Sequence, residues 1–348
     1  MGFGMGGRVF HAPLISSVEG LELAAVVERS SDNAAQRYPG ITTYRSLDAM
    51  LADSSLDLFV VTTPSGTHFE MARQILEAGK SVVVDKPVAV TSAEVADLIE
   101  LAATHQAHII PFHNRRWDSD FLTIQKLLHE DSLGRLVHFE STFDRWRPVP
   151  TGRAWKDDPA QGGGALLDLG PHLSDQALLL FGKPEAVSAD VKRERDGQGS
   201  VDAFTVRLRY PRFSVTLSSN CLAALARPRF YLRGTKGNYR KLGLDPQEAA
   251  LSKIARIEDS TWGHESPANW GTLSVDVDGS MVTRPVEAVP GDYRLYYAAV
   301  RDTLLGKSPA PVTGLDAWRV ARLLEWAAES SEKRCEIICY WSQEPASP

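Results

Sequence analysis

A lysine, a carboxylate and an imidazole have the types and spacing to do chemistry in this sequence. Lys86 closes the run Val82-Val83-Val84-Asp85-Lys86-Pro87. Asp168 and His172 lie four apart in Ala165-Leu166-Leu167-Asp168-Leu169-Gly170-Pro171-His172. An ammonium group stabilises negative charge that develops on an oxygen. An imidazole takes or gives a proton near neutral pH. A carboxylate one helical turn away shares its face, and can fix its tautomer and raise its basicity. Alone, each has a plainer explanation: a solvated lysine at a strand end, and a structural Asp/His pair on a helix. Their surroundings must decide. Gly162-Gly163-Gly164 precedes the helix and suits close approach of backbone to a ligand.

A second cluster opens the chain. Gly2, Gly4 and Gly7, with Phe3 and Met5 between them, match G-x-G-x-x-G. That pattern gives a tight turn, close approach to a pyrophosphate and close packing of the next helix. The helix is expected over 9–17, with Pro13 marking a kink or a late start. A strand over 21–28 ends in Glu28, 21 positions after Gly7 and near the spacing for a carboxylate on the ribose of NAD. Arg29, Ser30 and Ser31 follow, and suit the extra phosphate of NADP. The reading favours NADP, with Glu28 turned away, and leaves NAD open.

The elements that must position these groups alternate. Strands are expected over 41–44, 56–61, 81–84 and 108–112. Helices are expected over 46–52 (capped by Ser46), 68–77 (capped by Thr67, stopped by Gly79) and 93–105. This alternation implies a Rossmann-type doubly wound parallel sheet, an α/β arrangement. Its strand-end loops, with Gly4, Glu28, Thr62, Thr63, Pro64, Asp85, Lys86, His113 and Asn114, then share one edge, where ligands bind. No strand precedes the first glycine, although such a strand would lie centrally; the expectation is a start codon set too late. From residue 136 strands follow without helices between the later ones: 136–145, 187–193, 203–210, 213–221 and 230–233. They imply an α+β second domain with a large open, mostly antiparallel sheet. A helix is expected over 121–129, and amphipathic helices over 293–304 and 315–332. The boundary is placed at 115: residues 1–115 bind dinucleotide, and 116–348 bind substrate and oligomerise. Arg115, Trp117, Arg145, Arg147 and Trp155 offer guanidinium groups and aromatic faces for a small polyhydroxylated ligand, with a solvated loop as the alternative around 144–155.

The 348 residues carry a net charge of −6, with 43% apolar and 24% charged residues. No polybasic tract supports nucleic-acid binding, and no apolar run reaches the ~20 residues of a membrane span. Three cysteines and no signal-peptide pattern fit the cytoplasm. No ligand cluster accompanies Cys335 and Cys339, so no metal is expected.

The sequence resembles the Gfo/Idh/MocA oxidoreductases over nearly its whole length. The family's E-K-P signature appears as Asp85-Lys86-Pro87 and its D-x-x-x-H pair as Asp168 and His172. Residues 112–121 and Gly243-Leu244-Asp245-Pro246-Gln247-Glu248 are similar to the subgroup containing NADP-dependent scyllo-inositol dehydrogenases. The resemblance implies hydride transfer between nicotinamide and a carbinol carbon of a sugar or cyclitol. It implies that Lys86 holds the reacting oxygen and that His172 moves the hydroxyl proton. Asp168 would orient His172 or hold a neighbouring hydroxyl, and Pro64 and His68 would line the nicotinamide side. A homodimer or homotetramer is expected. An NAD-dependent glycosidase of the same family and a non-catalytic NADP-binding sensor are the alternatives.

Overall fold

The computed structural model describes residues 1–150, 162–197, 199–253, 257 and 260–346. The chain starts as a helical run over 6–16, a π-helical turn (Gly6–His11) continued by α1 (Ala12–Ser16) with Pro13 in its first turn. Then come β1 (Ala25–Val27), α2 (Asn33–Arg37), β2 (Thr42–Tyr44), α3 (Leu47–Leu51), β3 (Leu58–Val61), α4 (His68–Glu77), β4 (Ser81–Val84), α5 (Ser92–Thr104) and β5 (Ile109–Pro111). Ser46 caps α3 by accepting the Ala49 amide at 3.1 Å. Thr91 and Glu94 form a capping box on α5. Thr67 does not cap α4 as expected, because its hydroxyl turns back to Thr63 and the Pro64 carbonyl.

All five strands pair in parallel, but as two sheets, β1–β2 and β3–β4–β5. Among the described residues no strand lies between β1 and β3. The main chain of Met1 and Gly2 spans their carboxyl ends instead: Gly2 N–H donates to Val27 O, and Thr62 N–H donates to Met1 O. Strand β4 shows why the sheet is covered on both faces. Val82 and Val84 pack with Ile75 of α4 and Leu98 of α5, while Val83 packs with Leu14 of α1. A run of β-branched residues with both faces buried is what a doubly wound sheet requires.

The second half contains α6 (Ser119–His129), β6 (Leu136–Thr142), α7 (Ala165–Phe181), β7 (Ala186–Lys192), β8 (Ala203–Arg209), β9 (Ser214–Asn220), β10 (Phe230–Gly234), β11 (Gly237–Lys241), α8 (Gln247–Ser252), β12 (Gly271–Val277), β13 (Ser280–Val286), α9 (Arg294–Leu304), α10 (Gly314–Lys333) and β14 (Ile337–Ile338). The sheet order is β13-β12-β11-β10-β6-β9-β8-β7-β14. Every pair is antiparallel except β6–β9, which is parallel. Strands β11 to β14 extend the sheet beyond the sequence expectation. The β12–β13 hairpin did carry a signal: Asp278-Gly279 joins the strands with φ of +52° and +83°, the two-residue turn that Asp-Gly favours.

Helix α7 runs through Pro171, which removes one helical donor, because most of the helix is buried against the sheet. Helix α10 belongs to two cores. Its Ala317 and Trp318 join the parallel-sheet core, while Val320, Leu323 and Trp326 join the core under the large sheet. Helix α9 covers the other face of the parallel sheet with Tyr296, Tyr297 and Val300. Among the described residues no helix is long and apolar enough to cross a membrane.

Phe139 of β6 is fully buried, 5.1 Å from the Phe181 ring centroid and 5.7 Å from that of Phe230. Phe139→Ala is expected to cost about 3–5 kcal/mol through lost burial and a residual cavity, read as a lower denaturant midpoint.

Candidate active site

A cleft of about 980 Å³ opens where the carboxyl ends of β3 and β4 meet the start of α7. Its first wall is the glycine loop. Gly2 has φ of +85°, in the region that favours glycine. A Cβ at Gly7 would lie 2.3 Å from the Gly2 carbonyl oxygen, so helix and loop touch there. Nothing lies within 4 Å of a Cβ position at Gly4, which faces the cleft with Phe3 and Met5. Thr62 locks the loop: its hydroxyl lies 2.8 Å from Met1 O and 2.9 Å from Gly2 O, and donates to them. An open glycine at the mouth, ahead of a helix start, fits a dinucleotide pyrophosphate.

Glu28 is buried and does not face the cleft. Its carboxylate accepts the Ser31 hydroxyl at 2.6 Å and the Ala34 amide at 2.8 Å, at the start of α2. Arg45 donates to the Glu28 and Ser31 carbonyls at 2.9 and 2.6 Å, bracing the turn. Arg29 and Ser30 are exposed on that turn and also lie off the cleft wall. Arg45 carries no sequence signal of its own, since only the fold brings it back to residue 28.

The floor comes from β3, β4 and their loops. Thr63, Pro64, His68, Asp85 and Lys86 all line it. The buried His68 ring bridges two loops, with Nδ1 2.7 Å from Pro87 O and Nε2 2.7 Å from Thr63 O. Asp85 accepts the Lys86 amide at 2.8 Å and lies 3.8 Å from His11 Nε2. Burial pushes Asp85 up, but His11, Lys86 and His68 outweigh it and hold its carboxyl below the usual range.

Helix α7 supplies the opposing chemistry. Lys86 Nζ donates to both the main-chain carbonyl and the carboxylate of Asp168, the latter at 3.0 Å. Arg145 Nη1 donates to the other Asp168 oxygen at 3.2 Å. Asp168 therefore orients Lys86, whereas the spacing had suggested that it orients His172. His172 lines the cleft, is 6% exposed, and its Nδ1 has no hydrogen-bond partner among the described residues. Burial, then the positive charge of Lys86, Arg115, His113 and Arg229, pushes its pKa well below the ordinary histidine value. The imidazole is neutral at pH 7.

The remaining candidates divide. Asn114, Arg115, Arg145 and Arg147 line the cleft. Arg115 is buried, paired with Asp118 at 3.3 Å and with Glu248, and lies over the Phe143 ring at 4.9 Å. His113 does not reach the cleft; it is buried with Nδ1 4.0 Å from Asp175, which Arg116 grips in two hydrogen bonds. Trp117 packs edge-on against Tyr296 at 5.5 Å, also off the cleft. Trp155 lies outside the described residues. Gly162 and Gly164 crowd the chain itself: Cβ atoms there would come within 3.0 Å of Ser65 and Val201. Arg195, Ser200, Asp202, Cys221 and Glu248 line the cleft without having been singled out. Glu248 stood at the end of a stretch read for resemblance only. The others depend on how β7, β8 and β9 pair, which no local pattern reveals. Among the described residues no group of acids, histidines or cysteines could hold a metal.

The fold and cleft define a nicotinamide-dependent oxidoreductase. The profile for "Oxidoreductase family, NAD-binding Rossmann fold" matches residues 1–113, and that for "Oxidoreductase family, C-terminal alpha/beta domain" matches 125–337. The chain belongs to the Gfo/Idh/MocA oxidoreductase family. It is 40% identical to the uncharacterized oxidoreductase YdgJ of Escherichia coli, over 97% of this chain and 96% of that protein. It is 33% identical to scyllo-inositol 2-dehydrogenase (NADP(+)) IolW of Bacillus subtilis, over 97% of this chain and 94% of the relative. A solved oxidoreductase structure from Yersinia pestis superposes with a TM-score of 0.92 at 42% identity, covering 97% of this chain and 95% of that one.

The Gly7 contact is testable. Gly7→Ala places a methyl group against the Gly2 carbonyl, so the loop must move. NAD(P) affinity is expected to fall at least about tenfold by fluorescence titration, a loss of roughly 1.4 kcal/mol.

Proposed function

We propose that this protein is an NADP-dependent dehydrogenase that moves a hydride between nicotinamide and a carbinol carbon of a cyclitol or sugar. One observation carries the reading: an ammonium group held by a carboxylate, Lys86 on Asp168, lines the same cleft as a buried neutral imidazole, His172. The name of the Bacillus subtilis relative supports the substrate class. The glycine loop with Thr62, Thr63 and Pro64 would hold the nicotinamide cofactor, which when bound would supply the hydride acceptor or donor. Lys86 donates a hydrogen bond to the reacting oxygen and stabilises the alkoxide-like charge that develops there. His172 takes the hydroxyl proton during oxidation and returns it to the carbonyl oxygen during reduction. Asp168 and Arg145 keep the ammonium in place without bonding to His172. Thr62 and His68 keep the glycine and Pro64 loops rigid. For the cofactor, the Glu28 carboxylate is buried against Ser31 and Ala34 and does not line the cleft, so it is turned away from ribose hydroxyls. Arg29 and Ser30, exposed on the same turn, suit a ribose phosphate.

Two outcomes test this. Oxidation of inositols or aldoses by wild-type protein should raise nicotinamide absorbance, and His172→Ala should cut kcat about 10²–10⁴-fold with cofactor binding retained. Protonation removes the base. Because burial and nearby cations lower the His172 pKa, activity should fall only as pH drops below about 6.5, the ordinary value. A variant as active as wild type would refute the assignment. Separately, Arg29→Ala should weaken NADP binding about tenfold or more and leave NAD binding nearly unchanged; equal losses for both would point to NAD.

A further inference from the structure

Among the described residues, the cleft wall built by the second half of the chain has one guanidinium group without a carboxylate partner. Arg115, Arg145, Arg147 and Arg195 line it, with three carboxylates, Asp168, Asp202 and Glu248. Three of the arginines are matched. Arg145 pairs with Asp168 at 3.2 Å, Arg195 pairs with Asp202 at 2.7 Å, and Arg115 pairs with Glu248. Arg147 has no carboxylate partner among the described residues.

The backbone explains why Arg147, though exposed to solvent, lines the cleft. Residues after β6 continue beside the end of β9: Arg145 N–H donates to Asn220 O at 2.9 Å, and Arg147 N–H to Cys221 O at 2.7 Å. Alternation along this extended stretch sends Arg145 and Arg147 to one side, and both line the cleft. Trp146, between them, is exposed and off the cleft wall. The β7–β8 loop then brings a second cation alongside, since Arg195 Nη1 donates to Arg147 O at 3.4 Å. The same loop supplies Ser200, which is 4% exposed, lines the cleft, and has an Oγ with no hydrogen-bond partner among the described residues. A buried hydroxyl without a partner is costly unless a ligand satisfies it. A guanidinium with no carboxylate partner among the described residues, a second one nearby held by Asp202, and a buried hydroxyl form a site for anionic oxygens.

We infer that the substrate carries an anionic group, a carboxylate or a phosphate ester, held by Arg147 with Arg195 and Ser200 while the carbinol lies at Lys86. This rests on the reading of the cleft as the seat of a hydroxylated substrate. The preferred ligands are therefore sugar acids or sugar and cyclitol phosphates, ahead of their neutral parents.

The test is calorimetric titration of NADP-loaded, full-length protein with matched compounds: glucose against glucuronate and glucose 6-phosphate, and inositol against inositol 1-phosphate. At least one anionic compound should bind about tenfold or more tightly than its neutral parent. That advantage should shrink as ionic strength rises. Which of the two anion types gains identifies carboxylate or phosphate. Arg147→Ala should bring the ratio of anionic to neutral affinity close to one, and Arg147→Lys should restore part of it as a point charge. No anionic compound exceeding its parent, or a ratio unchanged in Arg147→Ala, overturns the inference. Because the readout is binding, it is separate from turnover. Anion preference without nicotinamide absorbance change would sink the dehydrogenase reading and leave the anion subsite standing.

Discussion

The structure depends on one ammonium–carboxylate contact across two differently built halves. Lys86 leaves the end of a strand covered on both faces, and Asp168 sits on a helix that lies against an open sheet. Neither half contains a working arrangement alone. Asp168 fixes Lys86 through two acceptors, its main-chain carbonyl and its carboxylate, so the ammonium position is set by helix and side chain together. Arg145 on the other carboxylate oxygen joins this charged cluster, whose three members Lys86, Asp168 and Arg145 are all partly shielded from water. In such surroundings a hydrogen bond is stronger than in bulk solvent, and an unpaired charge costs more.

That cluster also explains the state of His172. The cations that hold Asp168 and line the adjoining wall disfavour a further positive charge, and burial disfavours it more. A carboxylate bonded to His172 would have opposed both effects. Directing Asp168 to Lys86 leaves the imidazole neutral and able to accept a proton. The i,i+4 spacing correctly places the two residues on one helix face, yet the strand from the other half captures the carboxylate.

Legibility followed the range of the interactions. Four of the five parallel strands were readable as short apolar runs between turn residues, β2 (Thr42-Thr43-Tyr44) by its β-branched and aromatic residues, and β4 was readable to its ends. The convergence of Gly4, Pro64, Lys86 and Asn114 followed from topology alone. Strand β13 was obscured because almost every residue of it is exposed, leaving no apolar period, although its Asp-Gly turn was present. Trp117 shows the opposite failure: an aromatic next to site residues belongs to a core shared with α9, because it ends a short 3₁₀ turn over 114–117 that packs it against Tyr296. Arg195 and Ser200 could not be read at all, since the β7–β8 pairing alone brings their loop to the cleft.

Helix α10 gives the molecule a mechanical property. Two successive residues, Ala317 and Trp318, are embedded in one core, and the next turns are embedded in the other. Neither core can loosen without withdrawing this helix from its neighbour, so the free energies of opening the two halves are coupled. The cleft thus lies between two halves whose cores share one continuous helix.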